Sequence, residues 1–124
     1  MVSDVRDEIE VDRLFQALAD RTRRDIVGRV LEAEQSVTAL AARYEMSFAA
    51  VQKHVAVLER AELVRKRRSG REQLVSGEVA SLRRAARLLE AYELLWRDRV
   101  DRIADVLAED DVRPPEERRK GRAG

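Results

Sequence analysis

One stretch gathers the side chains with the most chemical reach. Gln52, Lys53 and His54 stand in succession, Arg60 follows, and Arg65, Lys66, Arg67, Arg68 and Arg71 surround Gly70. His54 is the only histidine, and the chain has no cysteine. An imidazole can ligate a metal, act as a general base, touch a nucleic acid or pack. A zinc site needs three or four well-placed ligands, and even two copies of this chain would bring only two imidazoles, so neither a metal nor another cofactor is expected. General-base work needs a nucleophile and an orienting carboxylate around a pocket. No such cluster is visible, and the sequence does not read as an enzyme. Two roles stay open for His54: packing or capping at a helix boundary, or a contact to DNA backbone or base edge.

The basic residues point to a polyanion. Net charge is only +1, yet residues 47–72 hold seven bases and three acids, whereas residues 1–20 hold six acids and two bases. A basic stripe on a near-neutral protein is the electrostatic footprint of a phosphate-bearing partner.

These side chains need helices and a hairpin to hold them. Val11, Leu14, Phe15 and Leu18 recur at the spacing of a helix with one buried face. Asp20 can cap the next helix, where Ile26, Val27, Val30 and Leu31 form an apolar stripe. Ser36 can cap a short helix, VTALAARY, with Val37, Leu40, Ala41 and Tyr44 inward, and EMS then makes a tight turn. From Ser47 to about Ala61 a fourth helix puts Val51, Val55 and Leu58 on one seam. Its opposite face carries Ala49, Lys53, Ala56 and Arg60, with Gln52 on a flank and His54 at the edge of the seam. Two short helices joined by a tight turn, the second with small and polar groups outward, make a helix-turn-helix. The following LVRKRRSGREQLVS reads as a hairpin looping through Ser69, Gly70 and Arg71, with Gly70 free to take the positive φ such loops require. A basic hairpin in that place can reach phosphates or a minor groove as a wing.

Residues 78–111 contain neither proline nor glycine, and apolar residues recur at Leu82, Ala86, Leu89, Tyr92, Trp96, Val100, Ile103 and Leu107. A helix of that length spans roughly 50 Å, against a radius of gyration near ~14 Å for a globule of this size. One subunit cannot cover it. The expected cover is the same helix and the first helix of a second copy, in a homodimer that meets through Leu14, Phe15, Leu18, Leu89, Tyr92, Trp96, Val100, Ile103 and Leu107. Tyr92 and Trp96 read as packing residues of that seam, with a ligand pocket at the seam as the alternative.

The expected fold is therefore mainly α with a small β-hairpin wing. An acidic extension occupies residues 1–10, the winged helix-turn-helix core 11–77, the dimerisation helix 78–111, and a basic tail 112–124 whose composition predicts disorder. At 124 residues, 44% hydrophobic and 40% charged, the chain suits one helical domain. No apolar stretch approaches the roughly 18 residues of a membrane span, and the start MVSDVRDEIEVD lacks the features of a secretory signal. A cytoplasmic protein without a membrane partner is expected.

With LFQALADRTRRDIV, SVTALAARYEMSFAAVQKHVAVLERAELV and RKRRSGRE in view, the chain closely resembles ArsR-type winged-helix transcriptional regulators from about Leu14 to Leu107. The most specific elements are Ala19-Asp20 followed by Thr22-Arg23-Arg24, the segment VQKHVAVLERAELV, and WRDRVDRIADVL in the long helix. Members of that family are homodimers that usually repress, bind inverted repeats and often release DNA when an effector binds. The resemblance thus implies double-stranded operator DNA, a second subunit and an effector as partners. It places Gln52, Lys53 and His54 on the recognition helix and Arg68 and Arg71 on the wing. Metal-sensing members carry cysteines on the third or fourth helix, or Asp and His ligands on the last. This chain has no cysteine, and its last helix has no histidine, so the resemblance points to the metal-independent branch. Two further departures stand out. Arg21 occupies a position where a helix-starting proline is common, and Glu62 replaces the glycine that usually ends the recognition helix, at a cost of about 1 kcal/mol or more for a left-handed glutamate.

Dimerisation through the long helix would set two recognition helices about 34 Å apart, one DNA turn, on a palindromic site. Gln52 can pair bidentately with adenine and Lys53 can donate to guanine, while Ala49 lets the helix approach the groove closely. Ser47, Arg60, Arg67 and Arg68 would meet phosphate, and Arg71 phosphate or a narrow minor groove. Two other classes fit parts of the pattern. A non-specific architectural DNA binder would show salt-steep affinity indifferent to sequence, and a helical interaction module would use the acidic first helix and the long last one without DNA.

Overall fold

The computed structural model describes residues 4–111; the basic tail, 112–124, lies outside the described residues. In chain order the elements are α1 (Asp4–Leu18), α2 (Arg21–Glu32), β1 (Gln35–Ser36), α3 (Val37–Ala41), α4 (Phe48–Arg60), β2 (Val64–Ser69), β3 (Glu72–Gly77) and α5 (Val79–Asp111). The architecture is mainly helical with one small antiparallel sheet, as the sequence predicts. The chain divides into two compact units, one ending at Ala86 and one beginning at Arg87.

The first unit has a single apolar core. α1 contributes Leu14 and Ala17, α2 Ile26, Val27 and Val30, α3 Val37 and Leu40, α4 Val51, Val55 and Leu58, and the hairpin region Leu63, Val64 and Val75. Four expectations shift in detail. Helix α1 starts at Asp4, so residues 4–10 are helical and continuous with the predicted first helix. Ala17 is fully buried while Phe15 stands 36% exposed at the rim. Leu31 is exposed in the last turn of α2, where it lies over Gly77: a Cβ on that glycine would come within 2.5 Å of Leu31 Cδ2. In α5, Ala85 rather than Ala86 enters the core, one turn after buried Ser81 on the same face.

The predicted caps form. Asp20 accepts from the Arg23 N–H at 3.0 Å, and Ser36 accepts from the Ala39 N–H at 3.0 Å. Each satisfies one of the backbone donors a helix start leaves unpaired. Strand β1 has no counterpart in the sequence reading. It is two residues long and pairs Gln35 with Val75 and Ser36 with Leu74, giving the strand order β1-β3-β2. So short a strand shows no readable alternation.

Helix α4 ends in a left-handed cap. Glu62 has φ +58°, its N–H donates to the Glu59 carbonyl at 3.0 Å, and the Leu63 N–H donates to the Leu58 carbonyl at 2.9 Å. This is the paired bonding of a Schellman motif, closed by contact between apolar residues at its two ends, here Leu58 and Leu63, both fully buried. The Arg84 guanidinium secures the same corner through Glu10 on α1, the Glu62 carboxylate at 3.2 Å and Ser81 Oγ at 3.1 Å.

Candidate nucleic-acid interface

Helix α4, its N-cap Ser47 and the hairpin β2-β3 carry every side chain expected to meet DNA. After α3 the chain tightens through Arg43 and Tyr44, whose N–H groups bond back to Leu40 and Ala41, and reaches Ser47. That residue caps α4 by accepting from the Ala50 N–H at 3.1 Å. The cap occupies the hydroxyl as an acceptor and leaves its O–H proton available to donate. Tyr44 braces the turn by donating to Asp25 Oδ2 at 2.5 Å. Partial burial, with that carboxylate as the second cause, pushes the phenol up to about 12, so it remains a donor.

The apolar seam of Val51, Val55 and Leu58 is buried. Ala49, Gln52, Lys53 and Arg60 are exposed, while Ala56 and His54 are half-buried. Arg60 donates to the Ala56 carbonyl of its own helix, at 3.4 Å.

His54 is held from behind. Its Nδ1 lies 3.2 Å from Arg23 Nη1, while the same guanidinium donates to the Ala17 and Gln16 carbonyls at 2.8 and 3.0 Å. Asp20 Oδ2 is farther from Nδ1, at 3.9 Å. An arginine can only donate, so Nδ1 is the acceptor in this contact.

The wing is a tight hairpin. Ser69 pairs with Glu72, leaving a two-residue turn of Gly70 and Arg71 in place of the expected three-residue loop. Gly70 has φ +61° and Arg71 does not take a positive φ, the requirement of a type II′ turn. Ser69 thus finishes β2 instead of entering the loop.

Ion pairing sorts the five wing cations. Arg65 pairs with Glu78, Lys66 with Glu59 at 3.4 Å, and Arg67 with Glu34. The Arg67 contact is bidentate, 3.0 and 2.8 Å from Nε and Nη2, and it holds the Glu34 carboxyl below its ordinary value. Among the described residues, Lys53, Arg68 and Arg71 have no ion-pair partner. The sequence reading took Arg67 with Arg68, and nothing local in the sequence marks Glu34, 33 positions away, as its partner.

A cleft of about 250 Å³ separates the start of α4 from the wing, with Thr38, Phe48, Gln52, Arg68 and Arg71 in its walls. Thr38 and Phe48 were not picked out from sequence. On a helical wheel Phe48 falls between the buried seam and Gln52. Only the structure shows that the first turn of α4 projects past the core and leaves this ring 46% exposed.

The residues expected to join subunits fall into two groups. Leu14 is buried in the core of its own chain and Leu18 packs against that core, so neither is an open surface. On α5, Leu89, Tyr92, Trp96, Val100, Ile103 and Leu107 are each between 42% and 60% exposed, and successive 100° steps place all six within an arc of about 80°. The Arg99 guanidinium lies 5.9 Å from the Trp96 ring centroid. Among the described residues no helix is long and apolar enough to cross a membrane.

Comparison with known proteins agrees with this geometry. Residues 18–67 match a family model described as a helix-turn-helix domain. An ArsR-like transcriptional regulator from Rhodococcus sp. RHA1 is 32% identical, covers 85% of this chain with 96% of its own length, and superposes with a TM-score of 0.73. The crystal structure of another ArsR family transcriptional regulator is 29% identical, covers 73% of this chain with 93% of its own, and gives a TM-score of 0.69. At 22% identity, a homodimeric winged helix-turn-helix DNA-binding domain from Mycobacterium bovis shows the fold alone, with a TM-score of 0.59 over 82% of this chain and 92% of that one. The search of curated proteins gives no match. The helix-turn-helix, the wing and these relatives together show that the chain belongs to the ArsR family of winged helix-turn-helix transcriptional regulators.

Proposed function

We propose that this regulator is a repressor that binds an inverted-repeat operator as a homodimer and does not sense metal. The observation that carries the DNA reading is one surface: Gln52 and Lys53 exposed on a capped helix, beside a wing whose Arg68 and Arg71 have no ion-pair partner among the described residues. Gln52 and Lys53 reach base edges, adenine and guanine respectively. The Ser47 O–H, Arg60, Arg68 and Arg71 meet phosphates and fix the register. Arg67 joins them only by leaving Glu34.

The exposed stripe on α5 supports the dimer. An isolated helix gains nothing from six large apolar side chains in one narrow arc, and burying them removes that surface from water at about 25 cal/mol per Å². A second copy of the same helix is the occupant, and Phe15 of α1, 36% exposed, is a further contact of the same assembly. The homodimeric state of the Mycobacterium bovis relative agrees with this assembly. Residues 11–77 then serve as the DNA-binding core and 78–111 as the dimerisation helix.

The metal-independent reading rests on ligand chemistry. There is no cysteine, the single imidazole is engaged by Arg23, and among the described residues no group of three or more His, Asp or Glu side chains could hold an ion. Repression follows the habit of the family the chain resembles.

Sedimentation of the protein alone and with a selected operator duplex tests the assembly. Two subunits are expected in the free protein and two per inverted repeat. A monomer that binds a single half-site with full affinity would overturn it.

A further inference from the structure

We infer that Phe48 is a specificity-determining residue that recognises a thymine 5-methyl group in the major groove, beside the adenine paired with Gln52. This deepens the DNA-binding reading and rests on it. Phe48 opens the recognition helix, and its ring is 46% exposed in the wall of the cleft that faces Arg68 and Arg71. The N-terminal residues of a recognition helix are the ones that meet base edges, so an aromatic ring there enters the groove with the helix.

Most of the neighbouring chemistry on that helix is small or polar. Ala49 is too short to fill the space, and Gln52 and Lys53 are donors or acceptors. The ring is the one large apolar group on this face, and the thymine methyl is the one apolar group that a base pair presents in the major groove. Arg68 and Arg71 across the cleft attract the flanking phosphates and hold the duplex against this wall. The acid in the lining, Glu72, lies on the wing side of the cleft and not on α4.

The spacing sets where the thymine stands. Phe48 and Gln52 are one helical turn apart, about 5.4 Å, and base steps are about 3.4 Å. The thymine therefore lies one or two base pairs from the adenine that Gln52 reads, a combination that hydrogen bonding by Gln52 alone does not require.

The test replaces each thymine of the selected operator in turn by deoxyuridine, which removes only the methyl group. With the unaltered protein, one position per half-site should lose about three- to five-fold in affinity, the worth of one buried methyl group. Phe48→Ala should bind the thymine and deoxyuridine duplexes equally, and Phe48→Leu should keep part of the preference. The scan on the unaltered protein stands even if a variant fails to fold. Sequence-specific binding with no sensitivity to deoxyuridine at any position, or a sensitivity that survives Phe48→Ala, would overturn this inference and leave the regulator reading intact. Binding without any sequence preference would overturn both.

Discussion

Arg23 Nη1 stands 3.2 Å from His54 Nδ1, so the only histidine of the chain is tied to the end of α1. The other nitrogens of that guanidinium cap the Gln16 and Ala17 carbonyls, and Asp20 accepts from the Arg23 backbone N–H. The recognition helix is thereby braced against the α1–α2 corner. Of the two roles open for His54, this geometry favours packing and capping over a base contact.

His54→Ala should therefore destabilise the fold by about 1–3 kcal/mol, the cost of leaving a half-buried donor without its acceptor, as read by chemical denaturation. The ratio of operator to random-duplex affinity should stay within about two-fold. A collapse of that ratio at unchanged stability would put His54 among the base-reading residues.

Glu34 holds Arg67 in a bidentate ion pair. Glu34→Gln should raise affinity for any duplex by no more than about five-fold, because an exposed ion pair holds its partners only weakly. It should steepen the dependence on salt by about one phosphate contact. Arg68→Ala should do the reverse, weakening binding on all sequences, and Arg67→Ala should have the smaller effect. Titrations over a range of salt concentrations distinguish these slopes.

Glu62 occupies the left-handed position at φ +58°. Glu62→Gly should relieve about 1 kcal/mol of backbone strain and give up a half-exposed contact with Arg84 that is worth less. A rise in thermal midpoint is expected. A fall would mean that the link from Glu62 through Arg84 to Glu10 outweighs the strain.

Asp20 has its pKa lowered below the ordinary value of 3.8, chiefly by the Arg23 N–H. The folded state thus binds fewer protons than the unfolded chain, and the added stability is present above that value and lost as pH falls through the lowered one. Asp20→Asn keeps a capping oxygen and removes the charge. The stability gap between the two proteins should hold from neutrality down to about pH 4 and close below it; a gap independent of pH would exclude the charge as its cause.

The parts of this molecule that were legible beforehand depend on short-range rules. The periodicity of Val51, Val55 and Leu58, the caps at Asp20 and Ser36, and the unusual Glu62 are all decided within a few residues of chain. The rest depends on contacts between distant segments. Arg67 looks like Arg68 until the fold brings Glu34 beside it, and the pairing of β1 with β3 rests on two residues. Phe48 reads as a neighbour of the seam because a wheel does not say where the core stops. Leu14, placed with Phe15 at the subunit seam, is taken up by the core of its own chain.

Selection of bound sequences from a randomised duplex pool at near-physiological salt tests the central claim most directly. The account predicts an enriched inverted repeat with half-sites about one helical turn apart, adenine and guanine placed to meet Gln52 and Lys53. Retention of DNA without any enriched sequence, or enrichment of a single unrepeated half-site, would contradict it.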